Sequence, residues 1–105
     1  MSATASTKEE VLGRLGAVGM DIRSFGVRRL GLFGSFARQG QGPASDVDLL
    51  VEFEPGAKSF DNFMSLSFLL EDALQRPVEL VTRESLSSFI GPRILAEVED
   101  VPLGL

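Results

Sequence analysis

Two groups of residues in this chain have the types and spacing to do chemistry: Gly34-Ser35-Phe36-Ala37-Arg38 and Ser45-Asp46-Val47-Asp48. In an extended strand, residues two apart point to the same side, so Asp46 and Asp48 bring two carboxylates together. Like charges this close repel, and Asp is disfavoured in strands, so the pair is a local conflict that a hard divalent cation resolves. Gly34 permits a tight turn after a strand, and a helix opening over residues 36–38 turns its free N–H groups and the Ser35 hydroxyl toward a phosphate. Arg38, one turn in, supplies a phosphate-directed guanidinium. These parts describe a Mg2+ clamp bridging nucleotide phosphates and a nucleophile, with glycine and serine on the triphosphate and the aspartates on the metal. Each half alone is ordinary: Gly-Ser is a turn dipeptide, and Asp-x-Asp is often a solvated strand end. With ten residues between Ser35 and Asp46, and the hydrophobic run LLVEF following, they read as two ends of one site.

The 105-residue chain contains no His and no Cys. Thiolate catalysis, iron–sulfur clusters, Cys-based zinc sites, disulfides and His-dependent hydrolase triads are therefore excluded. Any site is built from carboxylates, hydroxyls, amides, Arg, Lys and backbone, a donor set that suits oxygen-liganded Mg2+. Net charge is −5, from 15 acidic and 10 basic residues, and only Lys8 and Lys58 are lysines. No basic stripe of the kind that tracks a nucleic-acid backbone is present, which argues against direct nucleic-acid binding. No apolar run has the length of a membrane span, and the opening MSATASTKEE lacks the pattern of a signal peptide, so the expected setting is cytoplasmic, without membrane association. Length and a 44% hydrophobic content predict one domain over residues 1–105 with one core.

The elements that position these residues follow from pattern. Residues 1–5 are small and polar and are expected to fray. Val11, Leu12, Leu15 and Val18 recur at helical spacing after a capping box, Ser6-x-x-Glu9 or Thr7-x-x-Glu10, and Gly13, Gly16 and Gly19 weaken that helix. Gly26 closes the connection to a strand over Val27–Phe33, which Gly34-Ser35 breaks. Residues 39–45 are turn chemistry. A strand over residues 46–53 sets Val47, Leu49 and Val51 on one face and Asp46, Asp48 and Leu50 on the other. Ser59 or Asp61 caps a helix running to Gln75, with Phe63, Met64, Leu66, Leu70 and Leu74 as core candidates. Its apolar residues span more than one face, so it is either buried on several sides or covers a partner. Pro77 ends it, Val78–Thr82 forms a third strand, and a last helix runs over residues 92–99. Helices alternating with three strands predict an α/β (α+β) fold, helices packed on a small mixed β-sheet.

The strand LGLF, the segment GSFAR, the strand SDVDLLVEF, the strand VELVT and the closing IGPRILAEVEDV together resemble the MNT-type minimal nucleotidyltransferases of the DNA polymerase beta superfamily. That family's pattern is Gly-Ser, a spacer of this length, then Asp-x-Asp. The resemblance covers most of the chain and implies a nucleotidyltransferase fold. It also implies nucleotide binding by Gly34, Ser35, Arg38 and Ser45, and two Mg2+ ions held by Asp46, Asp48 and a third carboxylate. The family carries that third acid, commonly Asp, on the strand after the long helix, and the matching position here is Glu79. An acid flanked by apolar residues in a short central strand is itself a local conflict of the kind that marks functional sites. Glu is one methylene longer than Asp, which alters its reach to a metal or hydroxyl. Glu52 lies further from the Gly-Ser turn, Glu71 and Asp72 read as a solvated helix face, and Arg28 and Arg29 as surface charges.

The resemblance implies an enzyme that places Mg2+-bound ATP on Ser35, Asp46 and Asp48 and moves AMP to a hydroxyl, with Glu79 orienting or deprotonating that hydroxyl. Minimal nucleotidyltransferases are commonly antitoxins paired with HEPN-domain ribonuclease toxins, in a type VII-like arrangement that modifies a toxin tyrosine. The chain has no Tyr, so it cannot be its own tyrosine acceptor. The alternative is a binding module of the same fold, catalytically weakened at Glu79, that neutralises the toxin by occlusion.

Overall fold

The computed structural model describes residues 4–42 and 45–103. Helix α1 (Lys8–Ala17) begins where Thr7 Oγ1 accepts the Glu10 N–H at 3.1 Å, which selects the second of the two capping boxes. Gly19 then opens a second short helix, α2 (Gly19–Ser24), in the segment expected to be a connection closed by Gly26. Strand β1 (Val27–Phe33) leads into α3 (Gly34–Arg38), and β2 (Val47–Phe53) follows the turn segment, of which residues 43 and 44 lie outside the described residues. Helix α4 (Phe60–Leu74) is capped by Ser59, whose Oγ accepts the Asn62 N–H, and ends at Gln75 in the left-handed conformation. Strand β3 (Val78–Thr82), a single 3-10 turn, α5 (Gly91–Glu97) and a two-residue strand β4 (Glu99–Asp100) complete the chain.

The sheet order is β3-β2-β1-β4. Strand β1 runs antiparallel to both β2 and β4, whereas β2 and β3 are parallel, the pairing that requires a crossover such as α4. The sheet is mixed as expected but has a fourth strand, too short to leave a periodic trace in the sequence. One face is the core: Leu30 and Leu32 of β1 and Val47, Leu49 and Val51 of β2 meet Val11, Leu15, Ile22, Leu66, Leu70 and Leu74 from the helices. By strand alternation the other face carries Phe33, Asp48 and Glu79 at one end and Arg29 and Glu52 at the other, where Arg83 of the following turn meets Glu52 at 3.9 Å.

One expectation fails at the chain start, and one of the two readings of α4 is excluded. Ala5 is fully buried and its N–H donates to the Leu74 carbonyl, so the segment expected to fray is anchored from that residue on, while residues 1–3 lie outside the described residues. Phe60 and Phe68 are 78% and 64% exposed, so α4 is not buried on several sides. No helix among the described residues is long and apolar enough to cross a membrane.

Candidate active site

Three strand ends meet at the site. Cross-strand pairing sets Phe33 opposite Asp48, and Asp48 beside Glu79, so the last residue of β1 and two acids form one row across the sheet. Immediately after Phe33 the chain turns at Gly34 with φ +76, a conformation that L side chains rarely adopt. Space imposes the same choice: a Cβ on Gly34 would lie 2.9 Å from Asp48 Cγ and overlap its Oδ2. The glycine required by the turn is therefore also the one that admits the Asp48 carboxylate.

That carboxylate is held in an unusual state. Burial, reinforced by the Glu79 carboxylate close enough to share a proton and by Asp46, pushes the Asp48 pKa up to about 6, while Arg38 pulls it the other way. The three acids are thus electrostatic neighbours. Asp46 is exposed and precedes β2 rather than belonging to it, which shortens the expected strand by one residue. Glu79 is also exposed, and its strand is an edge, not the central strand expected, because β3 pairs with β2 alone. Its neighbours Leu80 and Val78 pack on the core from the opposite face, which explains the apolar flanks.

Beside this row, Gly34, Ser35 and Arg38 all lie on α3, which starts two residues earlier than the helix expected over residues 36–38. The Gly34 N–H donates to Glu97 Oε1 at 3.1 Å, and Arg38 Nη1 meets the same carboxylate at 3.0 and 3.2 Å. The Ser45 hydroxyl accepts the Gly42 N–H at 2.8 Å, which ties it into the turn before Asp46.

The model of the nucleotidyltransferase domain family matches residues 21–101, a span containing every one of these side chains. The chain belongs to that family. The nucleotidyltransferase is 42% identical over 93 residues to the protein adenylyltransferase MntA of Thermococcus cleftensis, covering 88% of this chain and 93% of that protein. A solved structure of a candidate minimal nucleotidyltransferase superposes with a TM-score of 0.81 at 30% identity, over 92% of this chain and 98% of the other. A chain of the tri-AMPylated Shewanella oneidensis HEPN toxin–MNT antitoxin complex matches in fold, with a TM-score of 0.61 at 17% identity over 90% of this chain and 71% of that one. The fold is that of the minimal nucleotidyltransferases, and the chain is an enzyme of the nucleotidyltransferase class.

Among the described residues of the nucleotidyltransferase, no group of three or more Asp or Glu side chains stands ready-made around a metal position. The donor set nevertheless fits a hard divalent cation. Burial first, then the neighbouring Glu79 and Asp46 carboxylates, raise the Asp48 pKa to about 6, and a negative charge held against such surroundings is what an oxygen-liganded cation relieves.

Several contributors escaped the sequence reading. Arg76 is buried, donates to the carbonyls of Ala5 and Ser45 at 2.8 Å each, and lies over the Phe36 ring at 5.2 Å, so it joins the chain start, the pre-Asp46 turn and α3. Its position between a helix end and Pro77 leaves no periodic signal. Glu71, expected on a solvated face, accepts the Val78 N–H at 3.0 Å and ties α4 to the start of β3. Arg28 and Arg29 are exposed, as expected of surface charges, and pair there with Glu52 at 3.7 and 3.6 Å, Arg29 also with Asp100 at 2.7 Å.

Proposed function

We propose that this nucleotidyltransferase moves AMP from Mg2+-bound ATP to a tyrosine hydroxyl of a HEPN-domain toxin, acting as its antitoxin in the cytoplasm. The observation that carries this reading is the row Phe33–Asp48–Glu79 beside Gly34, with the Asp48 pKa raised to about 6. A half-buried carboxylate crowded by two others satisfies no backbone or side-chain donor among the described hydrogen bonds, and perturbed acids of this kind gather where chemistry is done.

Asp46, Asp48 and Glu79 would hold two Mg2+ ions, which when bound neutralise the triphosphate and favour ionisation of the attacking hydroxyl. The Gly34 N–H, the Ser35 hydroxyl and the Arg38 guanidinium bind the phosphates, and Ser45 sets the turn that delivers Asp46 to them. Glu79, at the open edge of the sheet, orients the acceptor hydroxyl and takes its proton. The hydroxyl oxygen bonds to the α-phosphorus as the bond from that phosphorus to the bridging oxygen breaks, and pyrophosphate leaves. Support for a protein acceptor comes from the net charge of −5, from the absence of Tyr in this chain, and from its similarity to a protein adenylyltransferase.

A second reading is favoured by one observation, the exposure of Glu79 on an edge strand. If the longer acid transfers its proton poorly, the same surface neutralises the toxin by occlusion alone. The test is the intact mass of the HEPN partner after incubation with this chain, ATP and Mg2+. The expected result is a gain of whole AMP units that disappears with Asp48→Asn. A stable complex with no gain selects the second reading, and transfer that survives Asp48→Asn removes Asp48 from the chemistry.

A further inference from the structure

The phosphate end of the site already holds an anion, and that anion belongs to the protein. Helix α3 has no side-chain cap of its own, since the residue before it is Phe33. Its first N–H, on Gly34, donates instead to Glu97 Oε1 at 3.1 Å, from the last turn of α5, sixty-three residues away. The same carboxylate meets Arg38 Nη1 through both oxygens. A carboxylate flanked by a backbone N–H and a guanidinium reproduces the contacts expected of a phosphate oxygen. Glu97 therefore occupies two of the three groups that the proposed function assigns to the triphosphate.

The surroundings permit exchange. Beside the contact lies a cavity of about 310 Å3 lined by Arg38, Ile90, Arg93, Ile94 and Glu97. The Glu97 side chain is 32% exposed and Arg38 61%, so neither is locked in by packing. The cavity offers a second guanidinium, on Arg93, and two apolar side chains next to the carboxylate that would have to leave.

Resting on the nucleotidyltransferase reading above, we infer that Glu97 is a built-in competitor of the triphosphate: ATP binds by displacing it from the Gly34 N–H and Arg38, and nucleotide affinity is set below what those groups would otherwise give. With Glu97 in place, the phosphate end is closed and self-satisfied. With nucleotide in place, α5 loses its bond to α3, so occupancy of the site is passed to the segment that leads into β4.

The experiment measures the affinity of the whole chain for Mg2+–ATP and for inorganic triphosphate by titration calorimetry. Wild type is compared with Glu97→Ala and Glu97→Gln. Relief from a charge-assisted competitor is expected to tighten both ligands by about tenfold in Glu97→Ala. Glu97→Gln, which keeps an acceptor for the Gly34 N–H but loses the charge, shifts in the same direction by less. A purely structural cap predicts the opposite, a lower melting temperature with unchanged or weaker binding. Unchanged or weaker affinity in both variants overturns the inference while leaving the nucleotide site intact. Failure of every chain, wild type included, to bind either ligand overturns the site assignment and the inference with it.

Discussion

Replacing Asp48 by Asn removes a charge that the metal-free protein holds against its surroundings. Burial, Glu79 and Asp46 raise the Asp48 pKa from 3.8 to about 6. Between those two values the folded state keeps a proton that the unfolded chain has already released, so metal-free stability falls as pH rises through the window. Below the window both states are protonated and the group contributes nothing, and above it the full penalty remains. About two pKa units at roughly 1.4 kcal/mol each give a ceiling near 3 kcal/mol. Water reaching the half-buried carboxyl reduces this to about 1–2 kcal/mol. Asn keeps the shape and the neutrality of the protonated acid. Asp48→Asn in a chelator near neutral pH should therefore melt roughly 5–10 °C above wild type. Near pH 4 the two should melt together. Far-ultraviolet circular dichroism is the suitable probe, because the chain has no Trp or Tyr. Added Mg2+ should raise the wild-type melting temperature and leave that of the variant in place, closing the gap. A variant that melts at or below wild type near neutral pH, or that shows the same gap near pH 4, would refute the claim that Asp48 is electrostatically strained.

Two further perturbations test the geometry around it. Gly34→Ala must carry a side chain at φ +76 and push the Asp48 carboxylate aside, and should cost about 2–3 kcal/mol in chemical denaturation. AMP transfer should be lost even at temperatures where the variant is folded, and normal transfer would show that Asp48 need not sit against the glycine. Arg76→Ala strips the carbonyls of Ala5 and Ser45 of a buried donor and should destabilise by about 2–4 kcal/mol. A loss below about 0.5 kcal/mol would mean that water replaces the guanidinium freely.

The legible and illegible parts of this chain separate by the range of the interaction that fixes them. Strands β1 and β3 were readable to the residue because each is short and rich in Val and Leu, with Gly26 and Gly34 bounding β1 and Pro77 opening β3. The α4 start was narrowed to Ser59 or Asp61 because both are local capping residues, and Ser59 is the one that caps. The Gly-Ser and Asp-x-Asp groups, read as neighbours from their chemistry and close spacing, do meet, with Gly34 against the Asp48 carboxylate. Strand β4 was not, since Glu99 and Asp100 are strand only by pairing with Leu32 and Gly31. The edge position of β3 was hidden for the same reason, as flanking apolar residues announce burial on one face and say nothing about neighbours. Glu97, Glu71 and Arg76 act on partners far away in sequence or across a turn, and a charged side chain gives no advance notice of which backbone group it will satisfy.

The row Phe33–Asp48–Glu79 also bears on how the chain finds its pairing. Strand β2 alternates strictly, with Val47, Leu49 and Val51 toward the core and Asp48 away from it. A slip of one residue against β1 or β3 would turn every side chain over, driving Asp48 and Glu52 into the apolar layer beneath the helices. Burying ionised carboxylates there would cost several kcal/mol, more than a short sheet can spare. The acids gathered in this row thus also make its misaligned forms untenable, so the same carboxylates that strain the folded sheet hold its strands in register.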